Sequence, residues 1–228
     1  MFYYAEPAAS AIKGGLAANN YNAYIGVEPS ATYSTTTSAH SAGAFSDVNM
    51  RYVQLFNSEP VGLLNYWNQE FILAEAAVRN WISDDPGMHY NNGIINSMNF
   101  LSNYVKGGTT TDYTHSMSLD AGYITSYISS VALTGSPENQ IKQIITQKYI
   151  AGFLQGADYA AWYEFIRTGY PVFMLNPNTN LNTPSSQFPV RWTYPQSELD
   201  QNGANYKAVI QSQYGGIDDV NQVMWLLK

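Results

Sequence analysis

Five acidic residues fall in stretches of helical periodicity, Glu70, Glu75, Glu138, Asp158 and Glu164. Cleaving a glycosidic bond needs two carboxylates across the bond, one to protonate the leaving oxygen and one to act as base or nucleophile. The spacing supplies no such pair: Glu70 and Glu75 are five positions apart, off a shared helix face, and the others are scattered. The three histidines, His40, His89 and His115, are far apart and form no HExxH pair, so they read as dispersed polar residues rather than zinc ligands. Asp84-Asp85 and Asp218-Asp219 read as turn or cap residues rather than calcium ligands. GxSxG, Walker and GxGxxG patterns do not occur, which removes the common hydrolase, NTPase and dinucleotide chemistries. Nothing in the sequence calls for a cofactor or metal.

What remains is recognition by neutral groups. Charged residues are 12% of the 228, whereas aromatics reach 14%, with 19 Tyr and 5 Trp. Surface polarity must therefore come from Asn, Gln, Ser, Thr and Tyr, the amides, hydroxyls and rings that hold a neutral polyhydroxyl ligand. A net charge of -7 with ten scattered basic residues excludes a nucleic-acid partner, whose phosphates need a basic patch. Tyr21, Tyr24, Tyr33 and Phe45 lie in polar, Gly- and Asn-bearing sequence and are the candidate sugar-stacking rings, with packing onto the helices as their alternative. Trp67, Phe71, Trp162 and Phe165 recur at helical spacing among apolar neighbours and are expected in the core.

The absence of cysteine excludes disulfides, Cys-based zinc sites and thiol nucleophiles, and leaves the redox compartment open. No run approaches the roughly 18–20 apolar residues of a membrane span. Residues 1–12 carry no basic segment followed by an apolar run, so an export signal is not among them.

The elements that must position these residues are mainly helical. Residues 1–60 are broken by Gly14-Gly15, Asn19-Asn20, the Ser/Thr run 34–38 and Gly43, which predicts a long, extended, loop-rich segment of the same domain. From Val61, after Pro60, Leu63, Trp67, Phe71, Ala74 and Val78 fall on one helix face. Asp84-Asp85-Pro86-Gly87 breaks that helix, and further helices are predicted over about 90–105, ended by Gly107-Gly108, and over 119–133. The next follows Ser136-Pro137, and the remaining two cover 157–167 and 197–213. Short links between them make antiparallel helical hairpins similar to tetratricopeptide arrays, although no clean repeat is present. Residues 171–195, rich in Pro, Asn and Thr, form a surface excursion.

Three blocks carry more specific information: Gln147-Lys148-Tyr149-Ile150-Ala151; the run from Gly156 to Pro171 that contains Ala161-Trp162-Tyr163-Glu164-Phe165-Ile166-Arg167-Thr168-Gly169-Tyr170-Pro171; and Pro189-Val190-Arg191-Trp192-Thr193-Tyr194-Pro195-Gln196-Ser197-Glu198. Their order and spacing resemble the SusD/RagB family, whose QK-x-IA helix leads to an RTGYP helix end and a P-x-R-x-x-YP-x-x-E segment. Glu70-Phe71-Ile72-Leu73-Ala74-Glu75-Ala76 and Tyr90-Asn91-Asn92-Gly93-Ile94-Ile95-Asn96-Ser97-Met98 resemble two upstream helices of that family, and Asn202, Asn205 and Trp225 continue the likeness. It covers about residue 50 to the end. Ile166 replaces one Arg of the usual pair, and 157–159 are less acidic than the common form.

The resemblance implies a mostly α, SusD-like fold with tetratricopeptide-like hairpins and long irregular loops. It implies a non-catalytic glycan-binding lipoprotein on the outer face of the outer membrane, with a SusC-like TonB-dependent transporter as partner. It also implies an amino-terminal half, with a lipidated Cys as the only membrane contact, beyond the residues present here. The family's sugar-contacting aromatics lie outside the matched motifs. A glycoside hydrolase and a helical protein-interaction scaffold are the rival readings.

Overall fold

The computed structural model describes residues 2–105, 111–156 and 160–227. Among them the chain forms ten α-helices and two short 3₁₀ turns, with one isolated β-bridge, Ala5 to Val48. The predicted Gly107-Gly108 stop and the first residues of the predicted 157–167 helix lie outside the described residues. The chain divides into two compact units, Met1–Pro29 with Tyr33–Val172, and Ser30–Thr32 with Phe173–Lys228.

The first unit is built on three helices: α4 (Tyr66–Val78), α5 (Pro86–Tyr104) and α7 (Pro137–Gly152). Trp67, Phe71, Ala74 and Val78 recur every three or four residues on α4 and are buried against Tyr90 and Ile94 of α5 and Ile141, Ile144 and Ile145 of α7, as an amphipathic stripe requires. The helix starts follow from local chemistry. Asp85 caps α5 by accepting from Gly87 N–H at 2.9 Å, with Pro86 at the first helical position, and Ser136 caps α7 by accepting from Asn139 N–H. The Asp-Pro pair thus opens α5 four residues before the predicted start, and α4 begins at Tyr66, not at Val61. Predicted helix 119–133 is α6 (Ala121–Ser130), opened by Asp120, which accepts from Tyr123 N–H.

Residues 2–60, read from the sequence as extended and loop-rich, are not extended throughout. They carry α1 (Ala9–Lys13), a 3₁₀ turn at Tyr21–Ala23, α2 (Tyr33–Ser41) and α3 (Arg51–Gln54). Phe2, Tyr3, Ala23 and Tyr24 are buried in a second core cluster with Leu101, Val105 and Tyr113, so the 19-residue α5 serves both clusters. Asn49 ties the segment down from inside: its Nδ2 donates to Phe2 O (3.1 Å) and Tyr113 O (2.9 Å), and its Oδ1 accepts from Arg51 N–H. The glycines that interrupt the hydrophobic pattern hid packing that is carried by contacts far apart in sequence.

α8 (Ala160–Thr168) completes the first unit, and Gly169 follows in the left-handed conformation (φ 78°) that favours glycine after a helix. Trp162 and Phe165 on this helix are half-buried and stand outside both core clusters, which corrects their reading as core residues. Their helical spacing is real, but α8 does not bury that stripe as α4 does.

In the second unit the predicted last helix is two, α9 (Gln196–Gln201) and α10 (Gly203–Tyr214), separated at Asn202. Arg191 is buried here. It pairs with Asp218 at 2.6 Å, donates to Asp219 O at 3.0 Å, and places its guanidinium 4.3 Å from the Tyr214 ring centre. The same Asp218 accepts from Tyr194 N–H and Tyr206 OH. The Arg and Tyr of the P-x-R-x-x-YP block therefore hold the excursion in place.

Candidate functional site

A cleft of about 420 Å³ opens in the first unit, within the size range of small-ligand sites. Its buried lining includes Trp67 and Ile145, its uncharged polar side chains are Asn65, Asn68 and Gln155, the last already donating to Glu59 at 2.8 Å, and the more exposed Tyr149, Phe153 and Leu63 also line it. Three pieces meet there: residues 62–68 at and before the start of α4, the last turns of α7 running on into the turn 153–156, and α8. Leu154 (φ 57°) and Gly156 (φ 74°) are both left-handed in that turn, and the Phe153 ring is about half exposed. Tyr4 and Phe153 pack nearly perpendicular, 5.6 Å apart between ring centres. At Gly62 an added Cβ would lie 2.0–2.5 Å from the Asn65 amide, so only glycine allows that amide its position.

Charge at the cleft is paired internally. Lys148 Nζ lies 2.5 Å from Glu164 Oε1; Glu164 also bonds Arg167; and Arg167 grips Glu75 through two bonds of 2.6 Å. Arg79 adds a further bond to Glu75 at 2.8 Å. Burial pushes the Glu75 carboxyl up, but the two guanidinium groups outweigh it and hold it below the usual carboxylate range. The chain of pairs joins α4, α7 and α8, and presents no uncompensated charge to a ligand.

Glu164 is the one carboxylate lining the cleft among the described residues, and Asp158 lies outside them. Two-carboxylate hydrolysis needs a facing partner, and Glu164 is already held by two cations. Glu70 is engaged elsewhere, 2.7 Å from His89 Nδ1, while Asp84 approaches Nε2 at 3.2 Å. His89 is therefore a buried, ion-paired residue rather than the dispersed polar histidine read from the sequence. The acids that bracket it come from positions 19 and 5 residues away, which no local pattern signals. Among the described residues no group of three or more acids and histidines could hold a metal ion, and no helix is long and apolar enough to cross a membrane.

The four candidate rings lie elsewhere in the first unit. Tyr24 is buried, its ring edge-on to Phe2 at 4.7 Å and its hydroxyl donating to Ala18 O at 2.8 Å, so neither ring face is open. Tyr21 is half exposed, tilted on Phe2 at 4.7 Å with its hydroxyl bonded to that of Tyr123. Tyr33 at the start of α2 is 87% exposed, and Phe45 is half-buried beside His40 at 5.7 Å. The cleft rings Tyr149 and Phe153 read in the sequence as part of the apolar face of the helix after Ser136-Pro137 and not as candidate rings; the structure leaves them 43% and 51% exposed. Their signal was the left-handed Gly156 just after the Gln-Lys block, where a helix must end on an exposed turn.

Comparison with known proteins bears on this architecture. The model of a family described as starch-binding and associating with the outer membrane matches residues 4–195, beginning well before residue 50. A SusD homologue from Bacteroides fragilis is 39% identical over the whole chain, with a TM-score of 0.94, and the match spans 48% of that protein. A Bacteroides vulgatus protein assigned to the outer membrane and to nutrient binding is 33% identical over the whole chain, with a TM-score of 0.85 and the same 48% coverage. A chitin-binding protein, 24% identical over 81% of this chain and 37% of its own length, shares the fold with a TM-score of 0.64. The chain thus spans about half the length of the first two solved structures. No curated protein matches it.

Proposed function

This chain belongs to the SusD-like family, and on that premise we propose that it captures a neutral glycan at the outer face of the outer membrane without cleaving it. The captured sugar passes to a SusC-like TonB-dependent transporter, and attachment to the membrane is through a lipid anchor outside these residues. The observation that carries the reading is the cleft, where the exposed Phe153 ring stands beside amides while the only described carboxylate is locked to Lys148 and Arg167. A pyranose has an apolar face for the ring and hydroxyls for the amides. Its lack of charge matches a site whose own charges are paired. Tyr33 and Tyr21, exposed away from the cleft lining, are outlying stacking rings in this scheme, and Phe45 contributes one edge.

The test is affinity electrophoresis of the chain over a panel of polysaccharides, with reducing ends assayed in parallel. Retention on at least one neutral polysaccharide without new reducing ends is expected. Phe153→Ala should weaken that retention about fivefold, the worth of one aromatic face at roughly 1 kcal/mol. New reducing ends that disappear in Glu164→Gln would replace capture with hydrolysis. A second reading, a polypeptide-docking scaffold, has one observation in its favour: Phe56, Val61, Leu63 and Leu64 are almost fully exposed aliphatic or aromatic side chains. Absence of retention on every polysaccharide would leave that reading standing.

A further inference from the structure

Helix α4 ends in a tight cap whose last residue is left in water. Asn80 adopts the left-handed conformation (φ 57°), its N–H donates to Ala77 O at 3.0 Å, and Trp81 N–H reaches back to Ala76 O at 2.9 Å. This is the paired bonding of a Schellman cap, in which the residue in the position of Trp81 ordinarily covers an apolar side chain one turn back. Here that side chain is Ala76, too small to cover an indole, and Trp81 remains 71% exposed. Its backbone and one neighbour are nevertheless set. The cap sets the backbone, and the Arg79 guanidinium, held by Glu75 at 2.8 Å, sits over the ring at 5.4 Å from its centre. The indole thus meets a cation while most of its surface stays in water.

We propose that Trp81 is a second stacking site for a sugar ring of the same glycan, borne on the surface at the opposite end of α4 from the cleft; this rests on the capture reading above. The sequence around it favours a sugar over a polypeptide. Asn80, Ser83, Asp84 and Asp85 are exposed polar neighbours, and an isolated ring with a hydrogen-bonding rim suits a pyranose, whereas protein partners need continuous apolar area. Trp67 in the cleft and Trp81 are 14 positions apart, roughly 20 Å at the helical rise of 1.5 Å per residue. A polysaccharide that engages both gains by avidity, and a disaccharide cannot.

The experiment compares wild type, Trp81→Ala, Trp81→Phe and Phe153→Ala on a polysaccharide that retains the wild type, and by calorimetry on the disaccharide of that polymer. Trp81→Ala should weaken polysaccharide retention about tenfold, Trp81→Phe should keep most of it, and disaccharide binding should fall in Phe153→Ala but not in Trp81→Ala. Retention of Trp81→Ala equal to wild type, while Phe153→Ala loses it, overturns the second site and leaves capture intact. A loss in Trp81→Ala that comes with a lowered melting temperature or altered self-association also overturns it, in favour of a structural or polypeptide-facing role. If no polysaccharide retains the wild type, capture and second site fall together.

Discussion

At Gly93 the backbone of α5 lies against the Phe71 ring of α4, and Gly93→Ala tests whether that approach holds the first unit together. A Cβ built there would lie 2.7, 2.8 and 2.9 Å from three carbons of the Phe71 ring, against an ordinary contact distance near 3.5–4.0 Å. The ring must move by close to an ångström. Phe71 is 1% exposed and packs edge-on against Tyr90, with ring centres 6.3 Å apart, so it cannot simply swing into solvent. Overpacking of this kind costs about 1–3 kcal/mol. Opposing it is the gain from replacing glycine by alanine inside a helix, about 1 kcal/mol. The two leave a net loss of roughly 0–2 kcal/mol, and because a crevice of about 130 Å³ beside Phe71 and Ile94 gives the ring only partial room, a loss of about 1 kcal/mol is expected. The assay is urea unfolding followed by helical circular dichroism, read as a shift in midpoint at constant slope. The companion variant Phe71→Leu shortens the side chain that Gly93→Ala would strike. In that background Gly93→Ala should become neutral or stabilising, a coupling that a double-mutant cycle measures directly. If Gly93→Ala stabilises the wild-type protein, or if its cost is the same in both backgrounds, the close approach is not what makes glycine necessary.

Two further outcomes follow from the packing. Burial alone would depress the His89 imidazole, but its bonds to Glu70 and Asp84 outweigh burial and hold its pKa above the ordinary 6.5; burial likewise pushes Glu70 up, and bonds from Tyr66, His89 and Asn92 hold it below the carboxylate range. The contribution of His89 is therefore fully present below its unfolded value and is lost as pH rises through the raised folded value, so the stability advantage of wild type over His89→Gln should be largest near about pH 6 and smaller at about pH 9; an advantage that grows with pH would contradict the pairing. Trp67→Ala should cost about 3–5 kcal/mol because Trp67 is buried in the first core cluster, while Trp162→Ala, from a half-buried position, should cost well under half of that; equal shifts in urea midpoint would return Trp162 to the core.

Where a residue's role is set by near neighbours, the sequence conveyed it. Ser136-Pro137 opens α7 because both the cap and the first helical position are local. The α4 stripe of Trp67, Phe71, Ala74 and Val78 is buried as its spacing predicts. The Gly after Tyr90-Asn91-Asn92 has a physical reason that the motif alone does not state, the Phe71 ring against its backbone. Roles set by distant residues were illegible. Phe2 and Tyr24 are core residues through α5 and Tyr113, and the polar, glycine-bearing sequence around Tyr24 made it look like a surface ring. The cleft assembles from the start of α4, the end of α7 and a turn held by the left-handed Leu154, a conformation that non-glycine sequence does not announce. Asn80-Trp81 was a readable signal, since Asn is the residue after Gly most at home in a left-handed cap, but its importance depends on Ala76 being too small to cover the indole.

The scarcity of charge gains a specific meaning from where the charges stand. The chain has ten basic residues, and among the described residues five are in ion pairs within the fold: Arg51 with Glu59, Arg79 and Arg167 with Glu75, Lys148 with Glu164, and Arg191 with Asp218. In every one of these pairs the acidic side chain is at least four-fifths buried, where losing its cation would strand a desolvated charge. Those cations cannot be released to a ligand without loosening the helices they join. Lys148, the one cation lining the cleft among the described residues, is among them, and its acid also bonds Arg167. An anionic glycan entering the cleft would have to compete with Glu164 for Lys148, whereas a neutral one meets amides and an exposed ring and leaves the ion-pair chain undisturbed. The preference for an uncharged ligand is thus a consequence of how α4, α7 and α8 are fastened together, and not only of a low count of charged residues.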